Sequence, residues 1–258
     1  MLKSSEPKMI YVEGGSFKMG NEQVGYENEQ PVHEVTVNSF YISKYPITVK
    51  QYRLFCEKTD KKMPEKPSWG WLNDHPIVNV SWHDAKDYCE WLNGRLPTET
   101  EWEFAARGGK QSKFYEYSGS NEKTLKHFAL YSKCKTYIVG TKKPNELGLF
   151  DMSGNVWEWC MDWYDNYDIK SQINPKNISK GDKRVQRGGS WRTGIFQLRS
   201  TNRNKENPNS KYNDVGFRLV RDIPIEKITQ LEKQLITIEQ QINELQQPIA
   251  KLEKKLIS

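Results

Sequence analysis

A short stretch in the middle of the chain carries side chains that could hold a metal ion. Asp151, Asn155 and Glu158 place three oxygen-bearing side chains close together, and Gly148 and Gly154 allow tight backbone turns beside them. Carboxylates, carbonyl oxygens and glycine turns in close succession suit a hard cation such as Ca²⁺. The same residue types also fit a capped turn that leads into a core strand. Residue chemistry alone leaves both interpretations open.

The elements that must position this stretch are short and of mixed type. Three helices are predicted behind a capping Ser or Thr, over residues 48–58, 81–92 and 97–108. Residues 11–20 predict two strands about a Gly-Gly turn, and residues 31–41 alternate as a half-buried strand does. This mixture predicts an α+β domain and not a βαβ sheet.

Composition bounds the class of protein. With 258 residues, 36% of them hydrophobic, the chain is long enough for one large domain with an appendage. It has no apolar run of membrane length and no hydrophobic signal region at its start, so a cytoplasmic location is predicted. The cysteines form no CxxC pair, so we expect buried thiols and neither disulfides nor a zinc site. They are Cys56, Cys89, Cys134 and Cys160.

A series of segments, in order, resembles the formylglycine-generating enzyme, or sulfatase-modifying factor, family. They are YVEGGSFKMG (11–20), FYISKYPITVKQY (40–52), RLPTETEWEFAARGG (95–109), GLFDMSGNVWEW (148–159), RVQRGGSW (184–191) and VGFRLV (215–220). The resemblance implies a C-type-lectin-like core with much irregular structure. It also implies one structural Ca²⁺ ion, held by the side chains of Asp151 and Glu158 and the carbonyls of Gly154 and Val156. A second calcium loop has no counterpart between Lys126 and Gly140.

The positive charge of the chain is concentrated near its end. The net charge is +6, and residues 184–221 alone contain nine Lys or Arg against two acids. Such a stretch could attract a polyanion. The resemblance instead implies framework arginines that pair internally, so a nucleic-acid partner is not expected. These arginines are Arg187, Arg199, Arg203 and Arg218.

Catalysis of the family's kind is not predicted. Active members resemble one another in a cysteine pair that binds copper and oxidises a substrate cysteine to formylglycine. The two corresponding positions in this chain are Thr193 and Leu198, and neither supplies the thiolate that copper(I) requires. We therefore expect no copper and no catalytic residues. The alternative is a divergent metal-dependent oxidoreductase, although His33, His75, His83 and His127 show no facial-triad spacing.

A non-catalytic binding module is favoured instead, with residues 192–214 as the recognition surface for a protein or other macromolecule. The segment is polar and lies between two framework segments, which is typical of a binding face, although a solvated loop without a ligand fits equally well. It also resembles the variable proteins of diversity-generating retroelements, through its asparagines Asn202, Asn204, Asn207, Asn209 and Asn213. The predicted ligand-binding residues are Trp157, Ser190, Trp191, Arg192, Thr193, Phe196, Lys205, Lys211, Tyr212 and Asp214.

The last part of the chain changes character after a predicted domain of residues 1–222. From Ile228 to Leu256, Ile and Leu recur at alternating steps of three and four, which predicts a coiled coil over residues 223–258. Pro248 interrupts the helix that this pattern requires. A lone amphipathic helix is the alternative. The coil predicts a homo-oligomer.

Overall fold

The computed structural model describes residues 6–23, 25–224, 234 and 237–242. The chain divides into two units, Met1–Arg221 and Asp222–Ser258. Most of the predicted coiled coil lies outside the described residues, so the coil and the oligomer stay predictions. No helix among the described residues is both long enough and apolar enough to cross a membrane.

Within the first unit, short strands and short helices alternate with long irregular connections, and the predicted α+β class is confirmed. The helices are α1 (Val49–Thr59), α2 (Trp82–Trp91) and α3 (Glu99–Ala106), with 3₁₀ turns at Glu27–Glu29, Gly109–Gln111, Glu122–His127 and Ile195–Leu198. The strands are β1 (Met9–Val12), β2 (Gly15–Met19), β3 (His33–Val37), β4 (Phe40–Ser43), β5 (Trp157–Trp163), β6 (Gln172–Ile173), β7 (Arg184–Arg187), β8 (Arg203–Glu206), β9 (Val215–Gly216) and β10 (Val220–Asp222).

The helices begin where capping chemistry predicted. The side chains of Thr48, Ser81 and Thr98 each accept a hydrogen bond from the backbone N–H three residues on, which satisfies a donor that the first turn leaves free. After α3, Gly108 adopts φ 92°, a left-handed conformation that ends the helix. The local prediction of these three helices is confirmed.

The strands form three sheets among the described residues, in the orders β1-β4-β10, β2-β3-β6 and β8-β7-β5-β9. The prediction of two strands joined by the Gly14-Gly15 turn is confirmed, but the two strands do not pair with each other. β1 pairs antiparallel with β4, and β2 pairs antiparallel with β3. The prediction of a single strand over residues 31–41 is wrong. The chain forms parts of two strands there, β3 and β4, which belong to different sheets.

A close backbone approach explains this exchange. The N–H of Gly14 donates to the hydroxyl of Ser39 at 2.9 Å, so the β1–β2 connection lies directly on the β3–β4 connection. A Cβ atom at Gly14 would lie 2.4 Å from the carbonyl oxygen of Val37, closer than any side chain tolerates. The glycine is therefore required for two chain segments to cross.

The hydrophobic core has two main parts. One packs α1 and α2 against Trp157, Trp159 and Phe217. The other packs α3 against the first four strands, with Trp102 and Phe104 at its centre. β5 contributes to both, through Trp159 on one side and Cys160 on the other, so this strand joins the two halves of the core.

Buried arginines bind buried carboxylates across the unit, as predicted for the framework positions. Each of the four arginines is almost completely buried and pairs with a glutamate far away in sequence. The pairs are Arg187–Glu103, Arg199–Glu29, Arg203–Glu99 and Arg218–Glu158. Two acids of α3, Glu99 and Glu103, are therefore structural, since two of these pairs use them.

Arg187 is the best member for a test of this framework. Its guanidinium also donates to the backbone carbonyls of Ser200, Thr201 and Asn202. Replacing Arg187 by Met removes one of two arginines that pair with the fully buried Glu103 and leaves it with Arg107 and the N–H of Gly20. The free energy of unfolding should therefore fall by about 3–5 kcal/mol. Urea denaturation measures this loss.

The matched control is Arg192→Met, because that side chain is 57% exposed. Its effect should stay within about 0.5 kcal/mol. Similar losses in both variants would show that the buried pair does not carry the stability assigned to it.

Candidate functional site

Several predicted binding residues converge on one carboxylate, that of Asp214. The hydroxyl of Ser190 lies 3.0 Å from Asp214 Oδ2, and the Nε of Arg192 lies 3.9 Å from the same oxygen. The N–H of Trp157, at the start of β5, donates to the carbonyl oxygen of Asp214 at 2.9 Å. We call Trp157, Ser190, Trp191, Arg192, Thr193 and Asp214 the Asp214 cluster.

The indole of Trp191 contacts two neighbouring residues, Asn213 and Trp69. Its Nε1 donates to the carbonyl of Asn213 at 3.2 Å, and its ring meets the edge of Trp69 at a centroid distance of 5.5 Å. The backbone N–H of Trp191 donates to the carbonyl of Asn155, 2.9 Å away. Asn155 lies in the stretch 148–159, which we call the candidate metal loop. A direct hydrogen bond therefore joins this loop to the Asp214 cluster.

Burial and two polar neighbours act on the Asp214 carboxylate in opposite directions. Burial raises the pKa of Asp214 above its ordinary value, while the bond from Ser190 and the charge of Arg192 act in the opposite direction. Ser190 is completely buried, and its hydroxyl donates a hydrogen bond to this carboxylate. Among the described residues, no histidine is hydrogen-bonded to the hydroxyl. Activation of a serine needs such a base.

The positions that correspond to the family's cysteine pair have structural roles here. The Thr193 hydroxyl accepts from the N–H of Ser190 and donates to its carbonyl, both at 3.0 Å, and so closes a tight turn. Leu198 is completely buried in a small apolar cluster with Tyr117 and Leu125. Leu198 is thus withdrawn into the core, whereas Thr193 is half-buried with its hydroxyl used in the turn.

The cysteine prediction is wrong at one position. Cys56, Cys89 and Cys160 are buried, and burial raises the pKa of each thiol. Cys134 is exposed, because it lies on a surface loop. The neighbouring N–H groups of Ser132 and Lys133 donate to the carbonyls of Thr193 and Trp191, so this loop borders the Asp214 cluster.

The predicted recognition surface, residues 192–214, is not one continuous exposed segment. Phe196 and Tyr212 are exposed, at 58% and 44%, but residues 198–203 are buried. Arg199 and Arg203 hold this middle part inside through their ion pairs, and β8 then joins a sheet beside β7. Two exposed stretches therefore flank a buried one.

The two predicted lysines and one asparagine also lie apart from the cluster. Lys205 lies over the ring of Tyr164 at 4.2 Å, and Lys211 pairs with Asp84 at 2.7 Å. Asn202 is buried, and its amide donates to Glu29 at 3.3 Å. A variable surface position needs an exposed side chain, so Asn202 does not fit that part of the prediction.

In the candidate metal loop, only Asp151 keeps a carboxylate oxygen without a partner among the described residues. Its Oδ2 accepts from the N–H of Gly140 at 2.8 Å, whereas Oδ1 is buried and unpartnered. Burial raises the pKa of Asp151 to about 6. An orphaned buried carboxylate oxygen is the group that a bound cation would satisfy.

Glu158, the other predicted carboxylate ligand, is occupied. Arg218 donates to both of its oxygens, at 2.5 and 2.7 Å, and the Nε1 of Trp102 donates at 2.7 Å. A guanidinium beside a carboxylate opposes a second cation there. No group of three His, Cys, Asp or Glu in the described ranges is placed to hold a metal ion. Among the predicted side-chain ligands, the fit to calcium therefore rests on Asp151 alone. The predicted carbonyl ligand of Gly154 accepts the N–H of Val156 at 2.9 Å.

The histidines are placed in separate environments. His33 and His75 are buried, the first against the ring of Tyr167 and the second hydrogen-bonded to Thr136 at 3.0 Å. His83 and His127 are exposed. This placement gives no support to an oxidoreductase site built on histidines.

Sequence reasoning missed two contributors to the Asp214 cluster, Trp69 and the loop around Cys134. Both lie in irregular connections, outside the segments that resemble the family. Residues 61–76, which contain Trp69, have a composition rich in lysine, proline and tryptophan and without helix or strand periodicity. This composition did not predict that Trp69 would meet Trp191.

Comparison with known proteins identifies the family. The Sulfatase-modifying factor enzyme 1-like domain matches residues 2–223, and the chain belongs to this family. The chain is 35% identical to "Serine/threonine-protein kinase pkn1" of Chlamydia pneumoniae. The match covers 84% of this chain but only 38% of that relative's length. The chain is 30% identical to "Inactive C-alpha-formylglycine-generating enzyme 2" of Bos taurus, over 81% of this chain and 86% of the relative.

Solved structures agree with the fold that the family implies. PvdO from Pseudomonas aeruginosa aligns with a TM-score of 0.76 at 28% identity, over 85% of this chain and 95% of the other. Treponema denticola variable protein 1 aligns with a TM-score of 0.73 at 24% identity, over 83% and 95%. The predicted formylglycine-generating-enzyme fold is confirmed.

Proposed function

We propose that this chain is a non-catalytic binding domain on a formylglycine-generating-enzyme scaffold, with the Asp214 cluster at the centre of its binding surface. The observation that carries the proposal is the use made of Thr193 and Leu198. One closes a turn and the other fills the core, so the places that resemble the catalytic cysteine positions serve the fold instead. The bovine relative whose name begins "Inactive" is consistent with this loss.

The rim of the cluster has the composition of a protein-binding surface. Arg192, Phe196 and Tyr212 have exposed side chains, and the half-buried Trp69 packs against the buried Trp191. Aromatic residues and arginine contribute most of the binding energy in many protein interfaces. A macromolecular ligand with an acidic or aromatic contact group fits this rim.

The proposal also includes oligomerisation of the chain and diversification of its surface asparagines. Oligomerisation through Ile228–Leu256 would make binding multivalent. Ile238 and Ile242, two members of the predicted seam that the structure describes, are 51% and 49% exposed. Diversification of the exposed asparagines stays a hypothesis, with Asn207 and Asn209 as its exposed candidates.

A structural Ca²⁺ ion at Asp151 is also part of the proposal. The buried, unpartnered Oδ1 supports it, and the loop is hydrogen-bonded to the Asp214 cluster through Asn155 and Trp191. Calcium would supply charge neutralisation for a buried carboxylate, and so would fix the loop beneath the binding surface.

The binding surface is tested by affinity capture from a lysate of the organism that encodes the chain. The variant Arg192→Ser/Phe196→Ser/Tyr212→Ser removes three exposed side chains of the rim. We expect a stoichiometric partner with the wild type and a loss of at least about a hundredfold in affinity with the variant, since interface anchors contribute about 1–2 kcal/mol each. Biolayer interferometry with the captured partner measures this loss.

The matched control is Lys113→Ser/Phe114→Ser/Ile169→Ser, which removes one cation and two exposed apolar side chains outside the cluster. It should bind as the wild type does. Equal loss in both triple variants, or equal affinity in both, would contradict the placement of the binding surface.

Calcium is tested by thermal and urea unfolding with added CaCl₂ or a chelator. Without a cation, the raised pKa of Asp151 means that its stabilising contribution is complete below the ordinary value of 3.8 and is lost as pH rises through about 6. Calcium should reverse this loss, and should stabilise the chain by about 2.7 kcal/mol at a hundredfold excess over Kd. The response should weaken below pH 6, where protons compete for the carboxylate.

Asp151→Asn should abolish the calcium response, whereas Asp168→Asn, at an exposed acid, should keep it. Identical unfolding curves of the wild type in calcium and in chelator would remove calcium from the account without affecting the binding surface.

A further inference from the structure

Arg184, at the start of β7, differs from the four framework arginines. It is also buried, with 7% of its surface exposed. No carboxylate lies within 4.0 Å of its guanidinium in the described part of the chain. The charge of Asp162 raises the pKa of Arg184, but the oxygens of Asp162 accept hydrogen bonds from the backbone N–H groups of Glu99 and Asn177. A buried arginine without an ion pair is costly and needs a reason.

Two tryptophans cover both faces of this guanidinium. The ring centroids of Trp82 and Trp163 lie 3.8 and 3.5 Å from its central carbon. Stacking of this kind stabilises the cation and leaves only the edge of the planar group free for hydrogen bonds. On that edge, Nη1 donates to the carbonyl of Met161, while Nε is buried and has no partner among the described residues.

Arg184 lines a cavity of about 240 Å³. Trp82, Leu96, Met161 and Ile178 provide its apolar lining. Its charged lining consists of three cations, Arg184, Arg95 and Lys86, and one acid, Glu90. Arg95 is paired with Glu101, and Lys86 is paired with Glu90 on the surface of α2. Arg184 is therefore the cation of this cavity that has no carboxylate partner among the described residues.

We propose that this cavity binds a small carboxylate with an apolar body, whose carboxylate group pairs with the stacked guanidinium of Arg184. An arginine fork matches a carboxylate in geometry and charge, and the hydrogen bonds of such a pair are stronger than neutral ones. The apolar wall packs against the body of the ligand. The volume is below the roughly 300–1,000 Å³ of sites for drug-sized ligands, so the ligand is small.

This site is separate from the Asp214 cluster, since the two share no residue. Burial also lowers the pKa of Arg184 to about 10, which a bound anion would reverse. The site therefore stands whether or not the proposed protein-binding surface is correct.

The probe is hexanoate, titrated into the full chain and followed by ligand-observed NMR, with hexan-1-ol as its neutral counterpart. We expect saturable binding of hexanoate and much weaker binding of hexan-1-ol. Arg184→Gln should weaken hexanoate binding by about tenfold or more, the usual effect of losing a hydrogen bond to a charged group. Failure of hexanoate to bind, or equal binding of hexan-1-ol, would overturn the proposal.

A second variant keeps the test decisive if Arg184→Gln does not fold. Ile178→Glu places a carboxylate at the rim of the cavity, at a side chain that is 54% exposed, and should weaken hexanoate binding several-fold by repulsion and competition. Ile173→Glu adds the same charge at an exposed isoleucine outside the cavity and should leave binding unchanged. Equal hexanoate affinity in these two variants would contradict the site.

Discussion

Burying an arginine is costly without a counter-charge, and four framework ion pairs that meet this constraint organise most of the chain. In each framework pair, a glutamate from the first two thirds of the chain meets an arginine from the last third. Arg199 binds Glu29 across 170 positions, and Arg187 binds Glu103 across 84. Because the unfolded chain keeps these charges in water, each pair stabilises the fold only if its geometry is completed in full.

The same pairs determine what the surface can do. Arg199 and Arg203 draw residues 198–203 into the interior, and the turn at Ser190–Thr193 stays beside Asp214. The exposed aromatic residues are thus presented by short segments between fixed points, which limits the entropy lost when a ligand binds. Exposed side chains held on a rigid frame are typical of recognition surfaces.

Local structure was predictable from local signals. Thr48, Ser81 and Thr98 predicted the helix starts because a capping side chain acts within one turn. The pairing of β1 with β4 was not predictable in this way, since it depends on a backbone crossing at Gly14 that no periodicity encodes. The ordered motifs were needed to supply the fold, and they also supplied the framework arginines.

The candidate site was predictable only where residues lie near a motif. Ser190, Trp191 and Asp214 flank framework segments, and the structure brings them together. Lys205 and Lys211 lie equally close in sequence, but strand alternation and the start of α2 direct them elsewhere. Arg184 lies in the motif that contains Arg187, but only the structure shows that it has no carboxylate partner in the described residues.

The most direct test of the central claim, a scaffold without the family's oxidase chemistry, is oxygen consumption. The copper-loaded chain would be mixed with a cysteine-containing peptide, alongside a Cys134→Ser variant that removes the exposed thiol. The account predicts no peptide-dependent oxygen uptake in either protein beyond that of free copper. Saturable, peptide-dependent uptake with formation of an aldehyde on the peptide cysteine would contradict it.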